Sequence, residues 1–527
     1  MGFKPQVIHR MKYLVQLIML FYLPGYGQSI FQKNYNNLVS QFSHGNSFIA
    51  KDSTYLLLST DYFFQANNNI AITEIDSVGN INTTKSFYSD SLTTLSGSKI
   101  ITINDSSCLV LAHVSKQIGM TYNYFSSALI MYSNDSIIWS TFIFDSTYFR
   151  EFNLSQIKFI DGAIICGGYT NLNSNFTSNT DTTITGLLIK LDMNGSVIWA
   201  NNYGNQVNVI SDFENYLDGG FIAIGNDEIL TSSGTDIKLM IFTTDSSGVP
   251  IWKKQIDVLV GSLNTINKVE SSYVIGGNII NSIDSDGLLF KLDTLGNLIW
   301  SKKFGNTSTG DDDIMLSIAN TNTIIFSSGF HRLVKVDEMG ANAQSYFLST
   351  YSTGHLLQLQ LFRESEIAVI GYTQPTGKIH FLKTDTTIFS CTQTVSNYIS
   401  NNYSVTLIND TLAHSAQSFN LSNLVINISN TLLSDSIFCV SATSVPEIHN
   451  NNKIQIFPNP VHSTFKFITE PEFFPIDYSI YDLTGRLLIS SRINYDFEPT
   501  IDFSDLREGI YIIKLKQSNV SLKMLKQ

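Results

Sequence analysis

Charge, cysteine and long apolar runs are all scarce in this chain of 527 residues. Only 14% of the residues are charged, and the excess of acidic residues gives a net charge of −12. Nucleic acids and anionic membranes bind proteins through basic patches, so this balance argues against both as the main partner. The simplest interpretation of the charge is an acidic surface that keeps the protein in solution.

The chain has four cysteines, and their spacing excludes two kinds of site. None of them forms a CxxC pair, which argues against zinc sites and thioredoxin-type redox sites. Cys391 and Cys439 flank one segment and are the pair that we expect to bridge in an oxidising compartment. Cys108 and Cys166 lie within apolar, strand-like runs and are predicted to be buried free thiols.

The longest apolar run lies near the N-terminus, from Tyr13 to Leu23, and basic residues precede it. It is too short for a bilayer span, which needs about 20 apolar residues. The pattern therefore predicts a secretory signal peptide, residues 1–27, that is cleaved before Gln28. We expect an exported mature chain without a transmembrane segment.

One pattern recurs along the chain at intervals of 44 to 60 residues. Its fullest forms, KLDMNGSVIW and KLDTLGNLIW, place Gly three residues and Trp seven residues after Asp. All four tryptophans of the chain occupy that last position, which chance placement does not explain. The aligned anchors are Asp76, Tyr132, Asp192, Asp245, Asp293, Asp337 and Asp385. The structural residues of the three clearest copies are Asp192, Gly195, Trp199, Asp245, Gly248, Trp252, Asp293, Gly296 and Trp300.

The chemistry of the motif indicates a β-hairpin. The residues before Asp alternate as in a strand, and Gly occupies a turn position where positive φ is common. Asp can accept hydrogen bonds from turn amides, and Trp fills a large volume between sheets. A second β-branched run precedes each hairpin, as in YLLLST from Tyr55 and GFIAIG from Gly220.

The unit length indicates the architecture. Strand, loop, hairpin and strand give about four strands in roughly 50 residues, the length of a propeller blade. Seven units over residues 28–390 predict an all-β fold with a seven-bladed β-propeller. The last unit lacks its final strand, and residues 30–37 match residues 299–306 with Phe31 in the place of Trp. We predict that residues 30–37 complete the last blade; an open β-solenoid and an extra blade are the alternatives.

The C-terminal part departs from this repeat. Residues 391–445 form a β-rich connector of short alternating runs, either a terminal β-subdomain or part of a blade. Residues 446–453 are typical of a polar linker. Residues 454–527 contain about six strand patterns and predict a small antiparallel β-sandwich.

Four motifs follow one another within residues 454–527: IFPNP, YDLTGRLL, DLREGIYIIKL and LKMLK. Together they resemble the type A C-terminal sorting domain of type IX secretion. Phe457 stands where that family commonly has Tyr. The resemblance assigns the sorting motif to Pro458, Asn459, Pro460, Asp482, Gly485, Gly509, Tyr511, Lys523 and Lys526.

That resemblance implies a cellular route and a partner. It implies passage across the outer membrane of Bacteroidota by the type IX secretion machinery. It also implies a product, residues 28–453, that is released or held on the cell surface. The hairpin repeat in turn resembles delta-60 and quinoprotein-type propeller repeats, a likeness of architecture that implies no chemistry.

The sequence contains no familiar catalytic motif. It has no GxSxG elbow and no HExxH pair, and its nine histidines show no metal-ligand spacing. We therefore assign no catalytic, cofactor-binding or metal-binding residue. Asp311, Asp312 and Asp313, with Asp284 and Asp286, would offer oxygens to calcium, although solvated loop carboxylates are the preferred interpretation.

Two functions are compatible with these patterns. The preferred one is a binding or adhesion module, displayed on the surface or released, whose loops meet a glycan or a protein. The alternative is a secreted hydrolase or lyase that acts on polysaccharide at the propeller axis. Carboxylates and aromatic rings gathered at one mouth would favour the enzyme, whereas Asn, Ser and Thr there would favour the binding module.

Overall fold

The computed structural model describes most of the chain and divides it into two units. The first, here called the body, comprises residues 28–442, and the second, the tail unit, contains residues 443–527. The predicted signal peptide lies outside the described residues. The described residues are 29–37, 42–51, 54–62, 68–90, 93–118, 122–144, 151–171, 184–204, 207–231, 234–256, 261–280, 285–305, 313–329, 332–347, 355–362, 366–373, 377–385, 395–397, 400–410, 412, 414–417, 420–431, 433–442, 455–457, 461, 463–468, 474–482, 486–494, 500–507, 509–515 and 521–526.

The described chain is almost entirely β-strand, as predicted. The first 28 strands are β1 Ser29–Asn37, β2 Phe42–Ala50, β3 Thr54–Tyr62, β4 Asn69–Asp76, β5 Ile81–Tyr88, β6 Thr93–Thr102, β7 Ser107–Ile118, β8 Tyr122–Ser133, β9 Ser136–Phe144, β10 Glu151–Ile160, β11 Ala163–Asn171, β12 Ile184–Leu191, β13 Val197–Tyr203, β14 Val207–Asn215, β15 Phe221–Thr231, β16 Gly234–Thr244, β17 Pro250–Ile256, β18 Gly261–Val269, β19 Ser272–Ile280, β20 Ser285–Asp293, β21 Leu298–Phe304, β22 Ser317–Ala319, β23 Thr323–Ser328, β24 Arg332–Asp337, β25 Gln344–Phe347, β26 His355–Phe362, β27 Glu366–Thr373 and β28 Lys378–Asp385. A short 3₁₀ turn, Leu217–Gly219, precedes β15.

These strands form the first four positions of seven antiparallel sheets. Sheets 1 to 6 take four consecutive strands each, from β2–β5 to β22–β25, and sheet 7 takes β26, β27, β28 and β1. The first strand of each sheet contacts the first strand of the next sheet, and β26 contacts β2, so this series of contacts returns to its start. Apolar residues of neighbouring sheets share cores; Leu111 and Ile164 meet in one of them, and Leu57 and Phe381 in another.

Each sheet has two ends, which the strand order defines. At the loop end, the second strand of a sheet ends and the first strand begins. At the turn end, the first strand connects to the second, and the hairpin between the third and fourth strands lies there. The repeat motif therefore occupies the turn end of every sheet.

The motif Asp holds its turn by hydrogen bonds to the backbone. Asp293 Oδ1 accepts hydrogen bonds from the amides of Leu295 (2.9 Å) and Asn297 (2.7 Å). Asp192 makes the same two contacts, with the amides of Asn194 (2.9 Å) and Ser196 (2.8 Å). The turn conformation is thus fixed by the carboxylate, which explains why the repeat requires Asp.

The motif Gly and Trp meet across neighbouring sheets. Gly296 has a φ of +75°, and a Cβ there would lie 2.8 Å from the ring of Trp252 in the preceding sheet. The indole of Trp300 likewise lies on Gly340 and donates a hydrogen bond to the carbonyl of Glu338 (3.1 Å). Gly therefore allows the positive φ of its own turn and leaves space for the Trp ring of the preceding sheet. This explains why Gly and Trp occur together in the repeat.

The first strand of the chain completes sheet 7. β1 pairs with β28, with Phe31 opposite Lys383. Phe31 lies against Gly79 of sheet 1, as each motif Trp lies against the next Gly. The hydroxyl of Tyr35 donates to the carbonyl of Gly79 (2.8 Å), as that of Tyr203 donates to the carbonyl of Gly248 (2.7 Å). The expected role of residues 30–37 is therefore observed in both pairing and packing.

The expectation of four strands per sheet was too low, because each sheet carries a fifth strand from the connector. These strands are β29 Val395–Asn397, β30 Ser400–Asn402, β31 Leu407–Asp410, β32 His414–Ala416, β33 Asn420–Asn423, β34 Asn427–Asn430 and β35 Leu433–Ala442. They pair in turn with sheets 6, 5, 4, 3, 2, 1 and 7, the reverse of the chain order. Residues 395–442, here called the belt, are therefore no separate subdomain.

Buried ion pairs and apolar contacts hold the belt on the sheets. Lys253 of β17 is 5% exposed and pairs with Asp410 of the belt (2.8 Å) and Asp227 of β15 (2.7 Å). Lys33 of β1 pairs with Asp435 of the belt (2.9 Å). Apolar belt residues also belong to the cores that contain the motif tryptophans: Val405 shares a core with Trp252, Leu412 with Trp199 and Leu421 with Trp139.

The cysteines divide between described and undescribed parts of the chain. Cys108 and Cys166 are buried free thiols, as predicted, and burial raises the pKa of Cys108 to about 12. Cys391 lies outside the described residues, so its bridge to Cys439 stays a prediction.

The tail unit contains two antiparallel sheets over one core. Its strands are β36 Gln455–Phe457, β37 Thr464–Ile468, β38 Ile476–Asp482, β39 Leu487–Ile493, β40 Thr500–Asp502, β41 Gly509–Leu515 and β42 Ser521–Lys526. The sheets have the orders β36-β37-β40 and β39-β38-β41-β42. Phe465 of the first and Ile480 of the second are buried in the same core.

The packing of Trp300 predicts a stability effect. Trp300 is 8% exposed, whereas its neighbour Ile299 is 49% exposed. Replacing Trp300 with Ala should lower the free energy of unfolding by about 3–5 kcal/mol, as large core truncations do. The matched variant Ile299→Ala should change it by about 0.5 kcal/mol or less. Denaturant titration of both variants measures the difference, and equal stabilities would contradict the packing described above.

The closing strand predicts acid sensitivity. His380 of β28 is buried; Gln32 Nε2 lies 3.3 Å from its Nε2, and Asn34 Oδ1 lies 2.8 Å from its Nδ1. Burial lowers the pKa of His380 to about 4 from the usual value near 6.5. As the pH falls, His380 is therefore protonated in the unfolded chain before it is protonated in the folded chain. This difference lowers the free energy of unfolding between pH 6.5 and 4, by about 3 kcal/mol in total.

Thermal melting at pH 4, 5, 6 and 7 tests this effect against His380→Gln, which keeps a polar side chain without the titration. The variant should lose less stability than the parent between pH 6.5 and 4. Parallel melting curves across this range would show that His380 does not contribute.

Candidate ligand-binding site

Aromatic side chains of sheets 7 and 1 meet at the loop end. The ring of His44 on β2 stacks on that of Tyr372 on β27, with centroids 4.0 Å apart and planes 11° apart. Tyr62 on β3 lies on His44 with a centroid distance of 4.7 Å. All three rings are partly exposed. Together they form an aromatic cluster that is partly open to solvent.

A contact between hydroxyl groups joins sheet 1 to sheet 2 beside these rings, with the Thr60 side chain buried. Thr60 Oγ1 lies 3.3 Å from Ser96 Oγ and donates to Asn46 Oδ1 (2.8 Å). Burial raises the pKa of Tyr62, and a hydrogen bond with Ser96 partly offsets that shift. Ser96 is therefore the link between the aromatic rings and the neighbouring cavity.

That cavity has a volume of about 290 Å³ and lies at the loop end of sheets 2 and 3. Its polar lining includes Thr94 and Ser96 on β6, His113 on β7, and Glu151 and Asn153 on β10. Asn153 donates to the hydroxyl of Tyr169 (3.0 Å). We call this cavity and the His44, Tyr62 and Tyr372 rings the loop-end site.

Burial shifts the pKa of both titratable groups of the cavity in the direction that favours the neutral form. It raises the pKa of Glu151 and lowers the pKa of His113. A protonated Glu151 would donate a hydrogen bond, and a neutral His113 can both donate and accept one. The lining therefore suits a neutral ligand with many hydroxyl groups.

The site offers little for hydrolysis of a sugar bond. Glycosidases generally use two carboxyl groups, about 5 to 9.5 Å apart. Among the described residues that line the cavity, Glu151 is the one carboxylic acid.

A charged cluster lies further along the first strands of sheets 2 to 4. Lys158 Nζ is 3.2 Å from Asp212 Oδ1 and 2.6 Å from Glu214 Oε1. Burial lowers the pKa of Lys158, but the two carboxylates outweigh burial and raise it. Asp212 also accepts a hydrogen bond from the amide of Ile266 in sheet 5 (3.1 Å). These acids are engaged in joining neighbouring sheets.

The predicted repeat residues do not contribute to this site, because they lie at the turn end. The site residues were missed in the sequence because they belong to different sheets and share no motif. Their one signal is departure from the repeat: Glu151 opens a first strand that begins with Thr93 in sheet 2 and Val207 in sheet 4.

Two of the five Asp residues suggested as calcium ligands, Asp286 and Asp313, belong to the described residues. Asp284, Asp311 and Asp312 lie outside the described residues. Asp313 accepts a hydrogen bond from Ser285, and Asp286 pairs with Lys303 (2.7 Å). The described residues contain no group of three or more His, Cys, Asp and Glu side chains arranged to hold a metal ion.

In the tail unit, the predicted sorting residues are described in part. Asp482 accepts a hydrogen bond from the amide of Arg486 (3.0 Å), and Tyr511 donates to the carbonyl of Arg507 (2.6 Å). Gly509 and Lys523 lie on β41 and β42, and Lys526 is buried at the end of β42. Pro458, Asn459, Pro460 and Gly485 lie outside the described residues.

Comparison with known families agrees with the tail motifs. Residues 455–526 match the model of the secretion system C-terminal sorting domain. The resemblance of the tail is confirmed. This match supports export by type IX secretion and handling by its machinery. This match does not extend to the hairpin repeat, so the delta-60 and quinoprotein likeness stays a hypothesis.

Comparison with solved structures gives matches of low similarity, three of which are described below. Three solved structures align with 68% of this chain and 98% of their own, at a TM-score of 0.28. Two are of an α-L-arabinofuranosidase from Fusarium graminearum at 9% identity, with an iminosugar inhibitor or arabinobiose. The third is a Penicillium chrysogenum α-L-arabinanase with arabinobiose at 12% identity. These values are too low to assign an activity. No curated protein matches the chain.

Within the described residues, no helix is long and apolar enough to cross a membrane.

The sorting-domain match predicts the outcome of a deletion. A chain without residues 454–527 should accumulate in the periplasm, because the segment that the export machinery recognises is missing. Cell fractionation with protease shaving measures its location. As a control, these residues fused to an unrelated periplasmic protein should send that protein outward. Unchanged surface export of the shortened chain would refute this role of the tail.

Proposed function

We propose that this protein is an exported glycan-binding module, delivered by type IX secretion to the cell surface or the medium. A signal peptide would take it to the periplasm, and the tail would direct it across the outer membrane. The body would be a seven-bladed β-propeller in which each of the seven sheets is a blade. The return of first-strand contacts from β26 to β2 supports this ring, as does the completion of sheet 7 by β1.

The stacked rings of His44 and Tyr372 carry the binding proposal. A sugar ring has an apolar face edged by hydroxyl groups, so it needs an aromatic surface beside hydrogen-bonding side chains. The loop-end site supplies the rings, and Ser96 connects them to the polar cavity. The Ser, Thr and Asn side chains of the cavity support a binding module, whereas the aromatic rings and Glu151 are features that the sequence criterion associated with an enzyme. Adhesion would follow if the bound glycan belongs to another surface.

The alternative is a polysaccharide hydrolase or lyase, and Glu151 is the observation in its favour. Its pKa is raised by burial, as in catalytic acids. The lack of a second carboxyl group among the described residues of the cavity makes binding the preferred function.

The proposal predicts glycan binding that depends on aromatic rings. The protein without residues 1–27 is screened on a glycan array, and the affinity of any ligand is then measured by calorimetry. Replacing Tyr372 with Ala should weaken binding about tenfold, because contact residues at the centre of a site contribute about 1.4 kcal/mol or more. The control Tyr88→Ala removes an equally large side chain, 37% exposed, outside the site.

Product analysis on the same ligands separates the two functions. Binding without cleavage is expected. Cleavage that Glu151→Gln abolishes would replace the binding module with the enzyme, and the absence of any glycan ligand would overturn both.

A further inference from the structure

The repeat provides an internal reference against which unusual residues can be recognised. In five of the sheets, a residue at or next to the start of the second strand pairs across to the anchor position of the hairpin. In sheets 1, 2, 5 and 6 this residue is Thr54, Cys108, Ser272 and Thr323. In sheet 7 it is Glu366, opposite Asp385. A scaffold position that is otherwise small and uncharged thus carries a carboxylate once.

The surroundings of Glu366 offset its charge only in part. Glu366 is 8% exposed and forms an ion pair with Lys383, whose Nζ lies 3.6 Å from Glu366 Oε1, a distance too long for a hydrogen bond. Within the described residues, no hydrogen-bond donor reaches the Glu366 side chain. This carboxylate therefore keeps the capacity to accept hydrogen bonds from a ligand.

Glu366 faces a second cavity, at the turn end of sheets 7, 1 and 2. The cavity has a volume of about 290 Å³, and its charged lining comprises Lys51, Asp105, Glu366 and Lys383. Tyr55 and Phe362 form its aromatic wall, with ring centroids 5.9 Å apart. Lys383 Nζ lies 5.7 Å from the centre of the Tyr55 ring.

The lining indicates the charge of the ligand. Two ammonium groups and two carboxylates balance, so an ion of either sign would meet repulsion from half of them. A small molecule with one charge of each sign would meet a partner for both. The volume is near the lower limit of ligand sites, about 300 Å³, which suits a molecule the size of an amino acid.

We propose that this cavity is a binding site for a free α-amino acid. Its ammonium group would pair with Glu366 beside the Tyr55 and Phe362 rings, which also attract cations. Its carboxylate would pair with Lys51 and Lys383. The site lies at the opposite end of the sheets from the loop-end site and does not depend on glycan binding.

The experiment uses the protein without residues 1–27 and the twenty common L-amino acids. Thermal shift identifies a ligand by a melting temperature that rises with its concentration, and calorimetry then gives its affinity. We expect at least one amino acid to bind. Its decarboxylated amine and its deaminated acid should each bind at least tenfold more weakly, because each lacks one of the two charges.

Two variants and a control locate the site. Glu366→Gln and Lys51→Met should each weaken binding at least tenfold, and Glu338→Gln removes the same charge from an exposed turn and should have no effect. Lys51→Met keeps the test decisive if Glu366→Gln fails to fold. Failure of all amino acids to bind would overturn the proposal, as would equal binding of the amine or unchanged affinity in the variants. Glycan affinity should be the same in all four proteins.

Discussion

Seven four-stranded sheets would leave seven outer edges with unpaired backbone amides and carbonyls, and the organisation of the body follows from how these edges are covered. Exposed edges invite pairing with other chains, so proteins cover or shorten them. Here one segment of 48 residues, 395–442, adds a strand to every sheet in reverse order. Its new outer strands are mostly three or four residues long, too short to offer a useful edge themselves. The belt can take its place only on sheets that already exist, and its last strand, β35, requires β1. The stability of the body therefore depends on both β1, at its N-terminal end, and the belt, at its C-terminal end.

Much of the body could be predicted from the sequence, because the decisive interactions recur. Asp recurs because its carboxylate holds the turn, as Asp192 and Asp293 show, and Gly recurs because the Trp of the preceding sheet lies against it. Phe31 could be assigned to the last sheet because it fills the same place against Gly79. The belt could not be predicted in this way. Its strands are too short for a clear alternation, and residues such as Asn401 and Ser415 have no strand preference of their own. Their β-structure comes from the edges on which they pair. The only trace in the sequence is that belt strands begin every five to seven residues, at 395, 400, 407, 414, 420, 427 and 433.

The loop-end site was not predictable for a different reason. His44, Tyr62 and Tyr372 become neighbours only because β26 contacts β2, so residues from the two ends of the repeat meet. A single sequence shows each of them as one more aromatic residue near a strand end. Glu366 and Glu151 differ, because an aligned repeat shows what the scaffold requires at each position. Each of these two carboxylates departs from the residue types that the other sheets have at its position, and departures from local rules tend to mark functional sites.

The two ends of the body lie on the same side of the sheets. β1 is the fourth strand of sheet 7 and begins at the turn end, and β35 runs antiparallel to it, with Ala442 opposite Ser29. The body therefore begins and ends at the turn end. The second cavity lies at this end of the sheets, and the loop-end site lies at the other. The two proposed ligands would therefore bind at opposite ends of the body, so that occupation of one site leaves the other open.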